Sequence, residues 1–311
     1  MKEAFYQNLK TILEEKQILI DEPMCKHTTF EIGGPADFLV MPESIEQITQ
    51  VVKLCLNSDM PYYIIGNGSN LLVSDKGYRG LIIKLGKNFS KITFQEEPFS
   101  QDDCYKVRAQ AGVLLSKLSS EIAKNSLTGF EFAAGIPGTL GGAVTMNAGA
   151  YDGEIKQVIC NALVADKKGS IISLDTKELN LGYRTSAIQE KNYIVLEAEF
   201  KLKKGNKEEI LSKINELNRR RREKQPLEFP SAGSTFKRPT GYYAGKLIMD
   251  SGLCGYQVGN AQVSEKHCGF VINKGGATAK EVYTLITDVI EIVNRKFGVM
   301  LEPEVKLLGE F

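Results

Sequence analysis

The 311-residue chain has no tryptophan and two histidines, His27 and His267, neither of which can be assigned as the base of a catalytic triad. It also lacks net charge: 39 Lys and Arg against 38 Asp and Glu leave +1. A protein whose main partner is duplex nucleic acid carries a basic excess to neutralise phosphates, so that class is set aside, although a local basic patch stays open. No apolar run approaches the roughly 20 residues that a membrane-spanning helix needs. The opening MKEAFYQNLK is charged and has no apolar core of the kind a secretory signal carries. The expectation is a cytoplasmic protein with no membrane and no nucleic-acid partner. No C-x-x-C pair occurs among the six cysteines, so no metal site is expected. Reduced free thiols are expected instead, with Cys55 buried on a helix.

What is present is an ordinary globular mix, 42% hydrophobic and 25% charged. The length suggests two or three domains. Residues 44–57 place Ile45, Ile48, Val52 and Leu56 on one helical face, opened by a capping box from Ser44 and Gln47. PYYIIGNGSNLLVSDKGYRGLIIKL (61–85) reads as strand, glycine loop, strand, turn, strand. Residues 105–111 alternate as a strand, and 113–126 form a short helix with Leu114, Leu118, Ile122 and Ala123 inward. Residues 158–203 read as a β-meander. A polar boundary near 204–207 precedes a helix over 207–224, with Ile210, Ile214 and Leu217 on one face. The last helix, 279–297, has a capping box at Thr278 and Glu281, an apolar stripe of Val282, Leu285, Ile286, Val289 and Val293, and Gly298 as its end.

Six constellations could carry chemistry. Gly66-Asn67-Gly68-Ser69-Asn70 lies between two apolar strands and reads either as a β-turn or as a loop whose N–H groups meet phosphate oxygens. It is neither a dinucleotide fingerprint nor a Walker A motif. Gly129–Glu154 holds seven glycines and hardly any charge in its middle. A solvated linker would be more polar, so this backbone packs against something buried, a core or a ligand, with Thr139, Thr145 and Asn147 as its polar groups. Arg184 in Gly182-Tyr183-Arg184-Thr185-Ser186 is either a surface arginine at a turn or a clamp for a carboxylate or phosphate. Arg219–Arg222 reads as a solvated helix end or as a phosphate patch. Ser234 follows a glycine in a loop that is not a nucleophile elbow. Glu304 lies in a strand-like C-terminal segment, as an acid or as a solvated edge carboxylate.

Taken in order, these segments resemble one family, the UDP-N-acetylenolpyruvoylglucosamine reductases (MurB) of bacterial peptidoglycan synthesis. The resemblance is carried by TTFEIGGPADFLV (28–40), IIGNGSNLLVSDKGYRGLII (64–83), GFEFAAGIPGTLGGAVTMNAGAY (129–151), GYRTS (182–186), KQP (224–226), GSTFKRP (233–239), AGKLIMDSGL (244–253), AQVSEKHCGFVIN (261–273) and FGVMLEPEVKLLG (297–309). Cys268 stands where alanine would be expected. The long insertions of the family's first subtype, among them a tyrosine-bearing loop over the substrate, are missing, which favours the shorter second subtype. The acidic run QEEPFSQDD (95–103) looks like a lineage-specific surface hairpin.

The resemblance implies an α+β fold. An FAD-binding domain of the vanillyl-alcohol-oxidase (PCMH) type would span 33–203, after an N-terminal segment over 1–32. A C-terminal α/β substrate-binding domain would span 204–298, with 299–311 as a strand returning to the active site. It implies noncovalent FAD, held by Gly66, Asn67, Gly68, Ser69 and Asn70 and by Gly135, Ile136, Pro137, Gly138, Thr139, Gly142, Thr145, Asn147 and Ala148. NADPH is the implied co-substrate and UDP-N-acetylglucosamine enolpyruvate the substrate, bound through Tyr183, Lys224 and Arg238. Arg184, Ser234 and Glu304 match the family's catalytic residues. The implied assembly is a monomer or weak dimer. Two other readings stay open: an FAD oxidase of the same fold, with His27 as the nearest candidate for a covalent flavin link, and a non-catalytic nucleotide-sugar binder.

Overall fold

The computed structural model describes residues 2–95 and 104–311. The acidic run expected as a hairpin lies outside the described residues from 96 onward. Helix α1 (Lys2–Lys10) buries Phe5 and Leu9. Strands β1 (Ile18–Pro23) and β2 (Pro35–Val40) follow, then helix α2 (Ile45–Asn57). Ser44 Oγ accepts the Gln47 N–H at 3.2 Å and starts α2. Gln47 Oε1 accepts from Glu43 N instead of closing the box on Ser44, so the expected reciprocal cap is half formed. The buried stripe of α2 is Ile48, Val51, Val52 and Cys55; Leu56, expected inward, falls off it and is exposed. Cys55 is buried as expected, and burial pushes its thiol pKa up to about 12.

Strands β3 (Tyr62–Ile65), β4 (Leu71–Val73) and β5 (Tyr78–Lys84) are the apolar runs around the first glycine loop. Next come β6 (Ile92–Phe94), β7 (Cys104–Gln110), helix α3 (Leu115–Lys124) and β8 (Leu127–Thr128). The inward residue of α3's first turn is Leu115, while Leu114, expected inward, caps the helix and is exposed. The glycine-rich stretch is not all loop. It contains a short helix, α4 (Leu140–Thr145), and a small ribbon, β9 (Gly149–Ala150) with β10 (Gly153–Glu154).

Strands β11 (Ile159–Ala165) and β12 (Ile171–Asp175), the short helix α5 (Ala187–Lys191) and strand β13 (Ile194–Lys204) complete an antiparallel sheet of order β12-β11-β13-β7-β6, with β8 also paired to β13. This is not the expected meander. β11, not β12, lies beside β13, because residues 176–193 carry the chain back past β12 before β13 begins. A second sheet has the order β1-β2-β5-β3, with β3 parallel to β5.

Helix α6 (Lys207–Lys224) buries Ile210 and Leu217 and half-buries Ile214. Strand β14 (Ser231–Ser234), helix α7 (Ala244–Asp250) and strands β15 (Gln257–Val258), β16 (Ala261–Val263) and β17 (Phe270–Asn273) follow, in the antiparallel order β14-β17-β16-β15. Helix α8 (Ala279–Phe297) buries the whole expected stripe and begins in the expected capping box. It ends at Gly298 with φ 67°, a left-handed position where glycine avoids a Cβ clash. Strand β18 (Lys306–Leu308) runs parallel to β4.

The chain forms two compact units. The first comprises Met1–Leu19, Phe38–Asn67 and Gly80–Arg220; the second comprises Ile20–Asp37, Gly68–Arg79 and Arg221–Phe311. Each has its own core, the first around Phe38, Phe89, Phe130 and Phe200, the second around Phe30, Phe236, Ile248 and Leu285. The division thus runs differently from a single cut near 204–207. Gly68–Arg79 goes with the C-terminal residues because β18 pairs with β4 and because Asp75 caps α8. Asp75 Oδ1 and Oδ2 accept the Ala279 and Lys280 N–H groups at 2.8 and 3.0 Å, two donors that the helix itself cannot satisfy.

Replacing Asp75 with Ala should therefore destabilise the second unit by about 1–2 kcal/mol, the cost of a lost N-terminal cap and its charge. Urea unfolding followed by circular dichroism should show this, with Asp75→Asn losing less because one acceptor remains.

Candidate active site

In the first unit the two glycine-rich segments are tied together. Asn67 Nδ2 donates to the Pro137 carbonyl at 2.7 Å. A Cβ on Gly66 would lie 1.9 Å from Thr139 Oγ1, so glycine is required there for the two segments to close. Leu140 and Gly141 N–H groups donate to Val113 and Ala111 at 2.8 Å each, which fixes the start of α4 against the end of β7. Gly142 differs from its neighbours: it is exposed, and a Cβ there would meet nothing within 4 Å. Gly135, Ile136, Gly138 and Ala148 are half-buried along the same uncharged stretch. An open glycine face, partly exposed apolar side chains and no fixed charge suit a flat, largely apolar ring system approached by backbone. These residues fit a flavin.

The polar members of the stretch are engaged within the protein. Thr145 Oγ1 donates to Gly141 O at 2.7 Å. Asn147 is 2% exposed and sits at φ 45°. Its Nδ2 donates to Glu154 Oε2 at 2.9 Å and to Gly182 O at 3.0 Å, and its Oδ1 accepts the Lys156 N–H at 2.9 Å. This asparagine joins the glycine-rich segment to the arginine turn. Gly182 and Thr185 pair across that turn and leave Tyr183 and Arg184 at its tip. Ser186 Oγ and Gln189 Nε2 both donate to Thr145 O, at 2.6 and 2.8 Å, and Gln189 Nε2 also donates to Arg184 O at 3.0 Å. Arg184 is held in the left-handed region at φ 55°, at a cost of roughly 1–2 kcal/mol for a residue with a Cβ. Its guanidinium lies 5.3 Å from the centre of the exposed Tyr183 ring. Ser186 and Gln189 were missed in the sequence; a serine opening a helix with a glutamine in its first turn was the available signal.

In the second unit Ser234 and Glu304 come together. Thr235 O accepts the N–H groups of Glu304 and Val305 at 2.7 and 3.5 Å. Phe236 pairs with Pro303, and Lys237 N–H donates to Glu302 O at 2.9 Å. The 235–237 backbone is thus zipped to 302–305. On its other side Thr235 donates to Gly269 O at 2.8 Å, and its buried Oγ1 accepts the Val271 N–H at 3.0 Å. Ser234 is exposed and Glu304 half-buried. Asn70 Nδ2 donates to the Glu304 carbonyl at 3.0 Å, and Asn70 O accepts the Lys306 N–H at 3.0 Å. Gly68 has φ 63°, and a Cβ on it would lie 2.1 Å from His27 O, so backbone packing demands glycine there. Ser69 is half-buried beside it. The Arg238 guanidinium stacks 4.0 Å from the Tyr243 ring centre. Lys224 ends α6 and is exposed.

Comparisons with known proteins agree with this geometry. Residues 36–175 match the family model described as FAD binding domain, and residues 225–308 match that of the UDP-N-acetylenolpyruvoylglucosamine reductase C-terminal domain. The chain is 56% identical over its whole length to the UDP-N-acetylenolpyruvoylglucosamine reductase of Lachnoclostridium phytofermentans, covering 99% of that protein. It is 54% identical to the reductase of the same name from Agathobacter rectalis, with all of both chains covered. The crystal structure of the Thermus caldophilus reductase (MurB) superposes with a TM-score of 0.76 at 34% identity, over 94% of this chain and 98% of that one. A Phl p 4 variant described as a glucose oxidase superposes with a TM-score of 0.51 at 12% identity, over 66% of this chain and 44% of that one, a likeness of fold alone. Fold and matched domains together define a flavoprotein oxidoreductase with a PCMH-type FAD-binding domain and a second, smaller domain. Within that class, the chain belongs to the UDP-N-acetylenolpyruvoylglucosamine reductase family.

Two outcomes follow from the bonds above. Asn147→Ala removes the bonds to the half-buried Gly182 carbonyl, the Glu154 carboxylate and the Lys156 N–H, and places alanine at positive φ. It should cost about 2–4 kcal/mol in denaturant unfolding of the first unit. His267 accepts the Gly269 N–H on Nδ1 at 3.2 Å and meets the Phe270 ring edge-on at 4.9 Å. Burial holds its pKa below the usual histidine value. Below about pH 6.5 the unfolded chain binds a proton that the native imidazole resists, so stability falls as pH drops from 7 through the lowered pKa. Urea midpoints across pH 5–7 should show this slope, and His267→Gln should flatten it.

Proposed function

We propose that this protein reduces UDP-N-acetylglucosamine enolpyruvate to UDP-N-acetylmuramate with NADPH, in cytoplasmic peptidoglycan precursor synthesis. The observation that carries the reading is the pairing of 235–237 with 302–305, which sets a hydroxyl-bearing and a carboxyl-bearing residue on neighbouring backbone. Gly66, Asn67, Gly68, Ser69 and Asn70 and the 135–148 segment would hold a noncovalent FAD, which when bound would supply hydride transfer between NADPH and the terminal enolpyruvyl carbon.

The protein's own residues handle charge and protons. That terminal carbon is electrophilic because its double bond is conjugated with a carboxylate. Attack there drives negative charge onto the carboxylate and gives an enolate-like species of the substrate. Arg184 supplies a fixed cation to that charge, and its anchored turn keeps it from reorganising when the charge appears. Glu304 presents its carboxyl group to the same charge, as a hydrogen-bond donor when it carries a proton. Ser234 Oγ gives the proton that the remaining carbon must gain, and its hydroxyl is recharged from water. Tyr183, Lys224 and Arg238 bind the rest of the substrate. The Arg238–Tyr243 stack pre-orients one of these cations.

The reading of a covalent flavin oxidase has less support. His27, its candidate linking residue, has its Nε2 at 3.0 Å from Glu22 Oε1.

An anaerobic absorbance experiment tests the proposal. The purified protein should be yellow, bleach with NADPH, and regain its colour only when UDP-N-acetylglucosamine enolpyruvate is added. Ser234→Ala should bleach at the wild-type rate but recover about 10²–10⁴-fold more slowly, the scale of a lost proton donor. A colourless protein that takes up no added FAD would sink the flavoenzyme reading. Equal slowing of both half-reactions would make Ser234 a structural residue.

A further inference from the structure

Helix α6 ends with a carbonyl that its own sequence leaves over. A helical carbonyl accepts from the N–H four residues on, but position 226, four after Arg222, is proline and has no N–H. The helix therefore cannot satisfy the Arg222 carbonyl. Lys266 Nζ donates to it at 2.8 Å. An ammonium suits this end of a helix, where carbonyl oxygens gather partial negative charge. The same ammonium lies 3.7 Å from Glu228 Oε2. One side chain thus spans 222–228, and the exposed Lys224 lies inside the span. Downstream the chain is held again: Pro226 is buried, and Pro230 O accepts the Asn273 N–H at 2.9 Å.

Lys266 belongs to the loop between β16 and β17, which is itself closed. Ser264 Oγ accepts the Lys266 and His267 N–H groups at 3.2 and 3.3 Å. Ser264 N–H donates to Phe270 O and Phe270 N–H to His267 O, each at 2.9 Å. Three residues beyond Lys266, Gly269 O accepts the Thr235 N–H at 2.8 Å, and Phe270 pairs with Ser234 in the β14–β17 ladder. One short loop grips the end of α6 with a side chain and the Ser234 strand with its backbone.

We propose that Lys266 is a positioning residue for substrate binding, which clips the last turn of α6 so that Lys224 stands in a fixed relation to Ser234. The role of Lys224 rests on the reductase reading above; the clip itself does not. Without the clip the Arg222 carbonyl turns to water, the last turn of α6 frays, and the Lys224 ammonium samples more positions. The substrate must then supply the ordering that the clip had supplied beforehand. The hydride and proton transfers do not use Lys224, so the loss falls on affinity and not on turnover.

Two measurements on the holoprotein test this. By hydrogen exchange and mass spectrometry, the peptide covering 221–229 should exchange roughly three- to tenfold faster in Lys266→Met than in the wild type, the scale of one hydrogen bond to a charged group in partial contact with solvent. Peptides from α8 should not change. In steady state at saturating NADPH, Lys266→Met should raise the KM for UDP-N-acetylglucosamine enolpyruvate by roughly the same factor, with kcat within about twofold of the wild type. Lys266→Arg, which keeps a charged donor, should recover most of the loss. Made in Lys224→Ala, Lys266→Met should raise KM no further, because a residue that acts through Lys224 has nothing left to position. Unchanged exchange over 221–229 would overturn the clip, whatever activity the protein has. Faster exchange with an unchanged KM, or effects of the two substitutions that add, would overturn the role in substrate binding. A wild-type protein that does not turn over this substrate would overturn the reductase reading and, with it, that role.

Discussion

The backbone of Glu304 is gripped from both sides, and the candidate site of the second unit hangs on that grip. Its N–H donates to Thr235 O and its carbonyl accepts from Asn70 Nδ2. These bonds join three parts of the chain that are remote in sequence: the first glycine loop, the Ser234 strand and the C-terminal segment. None of them involves a carboxyl group. The backbone of Glu304 is thereby as fixed as that of a residue inside a sheet. Thr235 repeats the pattern. Its backbone is bonded to Gly269 and Glu304 on its two sides, and its hydroxyl is spent on Val271, so Ser234 is presented from a strand that cannot slide.

In the first unit the equivalent anchor is Asn147. One side chain satisfies a backbone carbonyl of the arginine turn, a carboxylate and a backbone N–H. Together with Ser186 and Gln189 it holds Arg184 in a left-handed conformation that isolated chains avoid. Such strain survives only where neighbours over-determine the backbone. Here the neighbours belong to the same glycine-rich segment whose Gly142 lies open to approach. The anchoring residues and the exposed ones divide the labour. The side chains of Asn67, Thr145 and Asn147 bond protein, and Gly142, Ile136 and Ala148 stay partly or fully exposed.

Much of this was legible in the sequence, in uneven degrees. Helix α8 could be read to the residue, because periodicity, capping box and terminal glycine all agreed. The strands around Gly66–Asn70 were equally clear. Local pattern erred by one position where a helix begins or ends: Leu114 and Leu56 continue an apolar run but fall outside the buried stripe. Pairing partners were not legible at all. That β13 joins β11 rather than β12, and that β4 leaves its neighbours for β18, depends on contacts far apart in the chain, which no local window contains. The site residues emerged from motif resemblance. The supporting roles of Ser186, Gln189 and Thr235 did not: Ser186 and Thr235 lie within the quoted motifs and Ser186 opens a helix, but the distant backbone groups they bond, Thr145 O and Val271 N–H, are invisible to a local window.

The pairing of β4 with β18 has a consequence for synthesis. Leu71, Leu72 and Val73 are fully apolar and buried, and their parallel partner is the strand at 306–308. On a ribosome adding ~5–20 residues per second, β4 emerges on the order of 10–50 s before β18 is made. Throughout that interval the nascent chain carries an apolar strand whose edge has no lawful partner. The second unit cannot close before the strand at 306–308 is made, so holding factors that shield short apolar strands should bear on the yield of this protein more than on its final stability.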